Sequence, residues 1–370
     1  GVRPIIENCH DVTMNVNSLR FAFTSVPKDH IFAAHVNSPA FIRFTSGTTG
    51  ESKGVVIGNV GVLERTEAAN KSLQLDSESN VIWVLPMAYH FVVSIVLYIR
   101  CGSAITIVKD FMAKSVIEMT NKYNGTLLYA SPMQIRFLAA DRGEEMLPSL
   151  QKVISTSSGI DAKISQAFKE RFNKVVYQAF GIIEIGLPII NTEETDEFLD
   201  AVGYALPDFD VQVMDENCNV LPAGETGMLA IKGPGMFDAY LSPPVQREDL
   251  LVDGYFLTAD YASISTSGMI RIKGREKSMI NVSGNKVFAE EVESVLAQIP
   301  YIEVARVSGI PHAMMGQIIQ AEVVLNGVSE IDVEEILTFC RKRLSTFKIP
   351  QKVVIVEQLE MTKTGKVKRV

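Results

Sequence analysis

The sequence predicts an α/β protein: a large N-terminal domain of parallel sheets with helices, carrying a β-rich subdomain, followed by a small α+β domain. Three observations predict it. Short β-branched runs alternate with amphipathic stretches through the first two-thirds of the chain. From about residue 201 the pattern changes to strands separated by turn residues. Beyond Gly274 it becomes mixed again.

Residues 41–45, 81–85, 104–108, 126–129, 153–155 and 175–178 are short apolar runs, with amphipathic stretches such as 115–123 and 162–172 between them. Strand, helix and strand in turn is the pattern of parallel strands covered by helices. Residues 204–215, 228–231 and 269–272 read as strands, divided by Pro207-Asp208, Asp215-Glu216-Asn217 and Pro222-Ala223-Gly224. Such turn chemistry suits hairpins and meanders. A helix over 289–298, strands at 304–308 and 320–325, a helix over 333–344 and a strand at 352–356 complete the chain before its basic tail. The expected division is therefore 1–274, with the β-rich part at 201–274, and 275–370.

The chain has 370 residues, too long for one ordinary core. At 47% hydrophobic and 21% charged residues it has a globular composition. Its net charge of -8 offers no general attraction to nucleic acid or anionic membranes. The 4 cysteines lack metal-site or disulfide-framework spacing. The most apolar stretch, 81–99, is interrupted by Pro86 and His90 and reads as a strand and a buried helix, not a membrane span. With no secretory pattern at the N-terminus, a cytoplasmic protein is expected.

The strongest local signal follows the first apolar strand: Thr45, Ser46, Gly47, Thr48, Thr49, Gly50, Glu51, Ser52, Lys53 and Gly54. Glycines let the backbone approach an anion, amide and hydroxyl donors wrap phosphate oxygens, and the lysine supplies charge. A Walker A loop needs GxxxxGK followed by Ser or Thr; here Ser52 precedes Lys53 and Gly54 follows it, so that pattern fails. Taken by itself the segment also fits an ordinary polar surface loop.

This segment resembles the phosphate-binding signature of the adenylate-forming superfamily, which includes acyl- and aryl-CoA synthetases, luciferase and nonribosomal peptide adenylation domains. Five further segments resemble that family's motifs in order. They are Tyr177–Glu184, the pair 227–233 and 235–241, Tyr255–Asp260, Gly274–Glu293, and Thr362-Lys363-Thr364-Gly365-Lys366. Together they cover roughly residues 40 to 370.

The resemblance implies an ATP-dependent enzyme that joins a carboxylic acid to AMP and passes it to coenzyme A, or to a carrier-protein phosphopantetheine. It implies that Thr45, Ser46, Gly47, Thr48, Thr49, Gly50 and Lys53 hold the departing phosphates, with Thr45 close to the chemistry. Glu184 resembles the Mg²⁺ ligand. Phe180 and Gly181, with Ser158, Gly159 and Ile160, resemble the adenine-lining segments. Asp260 resembles the ribose acceptor, and Arg275 a second ribose or phosphate contact. Lys366 resembles the lysine that a mobile C-terminal domain carries into the site, and Lys277 the hinge of that motion. Ser283 and Gly284 fall where relatives line the pantetheine tunnel. Taken one at a time, Glu184 reads equally as a solvated charge, Phe180 as core and Asp260 as a turn residue.

The acyl pocket is expected to draw on Tyr89, His90, Ser131 and Gly181. Its apolar surroundings favour an aliphatic or aromatic acid over an amino acid, and His90 fits either a pocket or a packed core. Two departures stand out. Ile183 replaces the family's threonine before the metal-binding glutamate, which leaves a non-catalytic nucleotide-binding relative as an alternative. Fewer residues precede the 45–54 segment here than in the family, as expected either of a short variant or of a piece of a longer protein.

Overall fold

The computed structural model describes residues 6–14, 17–24, 35–44, 53–191, 201–327, 331–360 and 367. Its centre is a seven-stranded sheet in the order Tyr204–Ala205, Gly186–Ile190, Val176–Ile182, Lys152–Ser155, Leu127–Ala130, Asn80–Trp83, Ala104–Ile107. The last five run parallel. The first two are added antiparallel at one edge.

Parallel strands covered on both faces are apolar on both, and the side chains sort by alternation. Ile82, Leu128 and Val153 face a core with Ile117, Ile135 and Phe168, contributed by helices Ala113–Lys122, Pro132–Ala139 and Ala162–Phe172. Val81, Trp83, Leu127, Tyr129 and Ile154 face a larger core on the other side. Helix α1 (Asn59–Leu73) covers that side through Ala68, Ala69 and Leu73.

The β-rich region forms an antiparallel sheet of Asp210–Met214, Thr226–Lys232, Tyr255–Ile264 and Leu251–Val252, with Ile270–Arg275 paired to Tyr255–Ile264. Its Leu229, Ile231, Phe237, Phe256 and Ile270 join the larger core, so the two sheets bury apolar surface against each other. The strand expected at 204–215 is two strands. Pro207 and Asp208 form a turn, and Tyr204–Ala205 joins the parallel sheet instead of the β-rich one. Proline fixes φ and favours a turn at such a position, so the chain changes sheets there. A hairpin, Ile6–Met14 with Asn17–Thr24, was not among the expected elements.

The C-terminal residues build a sheet in the order Asn285–Phe288, Met279–Val282, Gly316–Leu325, Ile302–His312, with Lys352–Ile355 parallel to Gly316–Leu325. Helices Ala289–Leu296 and Val333–Arg341 supply Val292, Leu296, Ile336 and Cys340 to a third core.

Candidate active site

Residues 45–53 connect the two arms of an antiparallel hairpin, Pro39–Phe44 and Gly54–Gly58. Thr45, Ser46, Gly47, Thr48, Thr49, Gly50 and Ser52 lie outside the described residues. Lys53 is described: its Nζ sits 4.8 Å from the centroid of the Tyr240 ring. Tyr240 is placed there because Ala239–Tyr240 pairs antiparallel with Gly54–Gly58. Its hydroxyl donates to Glu184 Oε1 at 3.1 Å. Lys53 and the expected metal ligand Glu184 are thus both in contact with Tyr240.

Glu184 occupies the tight connection between Val176–Ile182 and Gly186–Ile190. The backbones approach so closely that a Cβ on Gly181 would fall 2.5 Å from the Gly186 carbonyl oxygen. Gly186 itself has φ +104°, open to glycine without strain. Phe237 N donates to the Glu184 carbonyl at 2.7 Å. Burial raises the Glu184 pKa above the ordinary carboxylate value, opposed by hydrogen bonds from its own backbone and Tyr240 and by the charges of Arg43 and Arg275. Burial and the Glu184 charge push Tyr240 well above a normal phenol.

The brace under this turn was not legible in the motifs. Arg65, on α1 and 2% exposed, donates Nη1 to the Ile183 carbonyl at 3.0 Å and Nε to the Gly235 carbonyl at 2.9 Å, and Nη2 also bonds Gly235. Glu64 on the same helix accepts from Gly235 N at 2.9 Å. Burial lowers the Arg65 pKa to about 10, opposed by Glu184 and Asp238. Arg65 ties α1, which starts directly after the phosphate-loop hairpin, to both the Glu184 turn and the 233–237 segment. Removing it leaves buried carbonyls unpaired, at about 1–3 kcal/mol for each group. Arg65→Met is therefore expected to destabilise the fold by about 3 kcal/mol in urea titration, and Arg65→Lys by less. Wild-type stability in Arg65→Met would remove the brace from this account.

Asp260, 3% exposed, and Arg275 are cross-strand partners, with Arg275 Nε donating to Asp260 Oδ1 at 2.9 Å. The two groups expected at the ribose therefore engage each other, and Arg275 is near enough to Glu184 for its charge to be felt there. Ser158, Gly159 and Ile160 follow strand Lys152–Ser155. Ser158 and Gly159 are exposed, and Ile160 N donates to Gln178 Oε1 at 3.2 Å. Gln178 lies on the same strand as the half-buried Phe180, so the two expected adenine-lining segments are neighbours.

Tyr89 and His90 point to different surroundings. His90 meets Trp83 and Tyr129 edge-on at 5.6 and 6.1 Å, whereas Tyr89 carries the Arg43 guanidinium over its ring at 5.3 Å. Ser131 precedes helix Pro132–Ala139 and donates its hydroxyl and amide to Gln134 Oε1, a helix-start arrangement. Ile183 is 8% exposed and packs in the larger core.

In the C-terminal part, Ser283 and Gly284 form the exposed turn between Met279–Val282 and Asn285–Phe288, with φ of +50° and +86°. Positive φ at both central residues is the two-residue hairpin geometry that matches strand twist. Lys277 is exposed in the one-turn helix Glu276–Ser278. Lys366 lies outside the described residues.

Among the described residues no three His, Cys, Asp or Glu side chains gather as a metal cluster. Glu184 accepts from the hydroxyl of the tyrosine that Lys53 overlies. A single protein carboxylate suits Mg²⁺, which keeps several waters and shares substrate phosphate oxygens. The donor chemistry fits that ion.

A large sheet domain thus carries the hairpin whose arms flank residues 45–53, a carboxylate-bearing turn tied to it through Tyr240, and the Asp260–Arg275 pair. Residues 10–241 match the family described as AMP-binding enzyme, and residues 291–366 match the AMP-binding enzyme C-terminal domain. The chain belongs to the AMP-binding enzyme family, within the adenylate-forming superfamily. It is 28% identical over 342 residues to a long-chain-fatty-acid–CoA ligase of Yersinia pestis, covering 89% of this chain and 60% of that protein. It is 26% identical over 360 residues to an oxalate–CoA ligase of Saccharomyces cerevisiae, covering 96% of this chain and 66% of the relative. The crystal structure of ATP-bound MatB from Rhodopseudomonas palustris matches at TM-score 0.81 and 27% identity, over 88% of this chain and 66% of that one. The chain thus spans less than two-thirds of the length of these relatives. Among the described residues no helix is long and apolar enough to cross a membrane.

Proposed function

We propose that the chain carries the nucleotide-handling part of an AMP-forming acid–thiol ligase. A carboxylate attacks the α-phosphorus of ATP, pyrophosphate leaves, and the thiol of coenzyme A then displaces AMP to give the acyl thioester. The observation that carries this reading is the convergence of Lys53, Tyr240 and Glu184 at the end of the phosphate-loop hairpin, with Arg275 and Asp260 nearby.

In this reading Thr45–Lys53 cradles the β- and γ-phosphates, and Phe180 with Ser158, Gly159 and Ile160 lines the adenine. Asp260, released from part of its engagement with Arg275, accepts from the ribose hydroxyls. Glu184 would hold Mg²⁺, which when bound neutralises phosphate charge. Lys366 donates to the carboxylate and α-phosphate oxygens where charge accumulates. The boundary falls at 274–275, supported by the separate apolar core of the C-terminal residues. Lys277 serves as hinge, and the Ser283–Gly284 turn meets the pantetheine arm. The cytoplasmic setting expected from the sequence stays part of this proposal.

Lys277 and the coenzyme A ligases among the relatives support coenzyme A over a carrier protein. The burial of Ile183 favours one competing reading, a nucleotide-binding relative without turnover. Pyrophosphate release with ATP, Mg²⁺ and a panel of aliphatic and aromatic acids separates the two. Acid-dependent release is expected, followed by AMP release on adding coenzyme A. ATP binding without release for any acid would overturn the ligase reading.

A further inference from the structure

Beside the phosphate-loop hairpin is an open groove of about 600 Å³ lined by Phe41, Arg43, Phe44, Met87, Tyr89 and Phe91. This volume lies in the range of small-molecule sites. Phe44 is 55% exposed and Phe91 40% exposed, and the Phe41 and Phe91 rings stack at 6.0 Å. The walls are therefore apolar surface left open to solvent.

The single charge on those walls is a guanidinium with spare capacity. Among the described residues Arg43 makes one hydrogen bond, from Nη1 to the Tyr89 carbonyl, and no ion pair, and its buried Nε has no partner. Guanidinium has five N–H donors arranged to grip a carboxylate. Arg43 stands two residues before Thr45, and its charge and that of Glu184 are felt by each other. A cation short of acceptors among the described residues, set in apolar walls next to the proposed nucleotide residues, is complementary to a small amphipathic anion.

We propose that this groove seats the acid substrate, with Arg43 holding its carboxylate and the aromatic walls its apolar body. The proposal rests on the acid-activation reading above and adds the residue that captures the acid before Lys366 acts. It also sets the substrate class: a monocarboxylate with an aliphatic or aromatic body. An acid with a second charged group would leave that charge against Phe41 and Phe91, at a cost in desolvation.

The test is calorimetric binding of decanoate, benzoate and the uncharged decanamide in the absence of ATP, beside steady-state kinetics. Arg43→Met is expected to weaken decanoate and benzoate about 10- to 100-fold, the range for a charged hydrogen bond, and to leave decanamide unchanged. Arg43→Lys, which keeps the charge, should fall between. In turnover the KM for the acid rises by the same factor while the KM for ATP stays within about twofold; a general structural defect would move both. Matching melting temperatures exclude misfolding. Wild-type protein that binds decanamide as tightly as decanoate, or Arg43→Met that binds acids normally, overturns the proposal. Intact pyrophosphate release with an unchanged acid KM in Arg43→Met rejects the groove alone. Acid binding that depends on Arg43, without release in wild type, rejects the ligase reading alone.

Discussion

Lys366→Ala is expected to lower acid-dependent pyrophosphate release about 100- to 1,000-fold while ATP still binds. In the transition state, the attacking carboxylate and the α-phosphate crowd negative charge onto neighbouring oxygens. A preorganised ammonium at that point contributes about 2.7–4 kcal/mol, which sets the size of the loss. Lys366 is the last residue of the matched C-terminal domain, within Thr362-Lys363-Thr364-Gly365-Lys366. Because the role assigned to it belongs to the chemical step, kcat should fall and ATP affinity should hold. Thioester formation from a preformed acyl-adenylate and coenzyme A should also hold, since the proposal gives that half-reaction to the Ser283–Gly284 face. Equal loss in both half-reactions would show that Lys366 is not specific to adenylation.

Glu184→Gln is expected to cut pyrophosphate release about 100-fold or more, because it removes the carboxylate proposed to hold Mg²⁺. Stability should move the other way at neutral pH. Burial raises the folded-state pKa of Glu184 above its unfolded value. Such a group contributes stability below the unfolded pKa and loses it as pH rises through the folded pKa. At neutral pH its ionised form therefore burdens the fold, and glutamine, which also accepts from Tyr240, relieves it. Urea titrations at pH 7 should find Glu184→Gln at least as stable as wild type. The advantage should shrink as pH falls through the raised pKa of wild-type Glu184, where the buried carboxyl takes up its proton. The same proton would block the proposed metal ligand, so the acid limb of the wild-type rate profile should lie above the ordinary glutamate range. Loss of stability at pH 7 in Glu184→Gln would mean that the charged carboxylate holds the turn together.

Local chemistry was readable along the chain, and contacts across long sequence distances were not. Alternating burial at Val81, Ile82 and Trp83 and at Leu127, Leu128 and Tyr129 follows from strand periodicity, and runs of β-branched residues exposed it. The segment 177–184 marked Glu184 through its resemblance to a motif of the adenylate-forming superfamily. Arg65 had no such mark, and Tyr240, though inside the 235–241 motif, carried no sign of its bond to Glu184. Arg65 reaches Gly235 across 170 positions, and Tyr240 reaches Glu184 across 56. A buried arginine in a helix with small apolar neighbours looks like any surface arginine until the partner carbonyls are in place. The segment Ala68-Ala69 with Leu73 does signal a buried helix face, but nothing in it says what Arg65 grips. The Asp260–Arg275 pair was half legible: both residues were singled out, and their mutual engagement required the strand register.

The larger core has a consequence for recombining this protein with its relatives. Leu127 and Tyr129 of the parallel sheet share that core with Leu229, Phe256 and Ile270 of the β-rich region, while Ile280, Val292 and Ile336 belong to another. A splice near residue 201 would bring together two half-cores shaped in different lineages, and their mismatched volumes would have to be repacked. A splice between Arg275 and Ser278 severs neither core. Transplanting the segment after Arg275, the proposed carrier of acceptor specificity, is therefore the crossover this architecture tolerates, and a donor segment should be matched first at Phe288, whose ring meets that of Tyr261 at 5.2 Å across the junction.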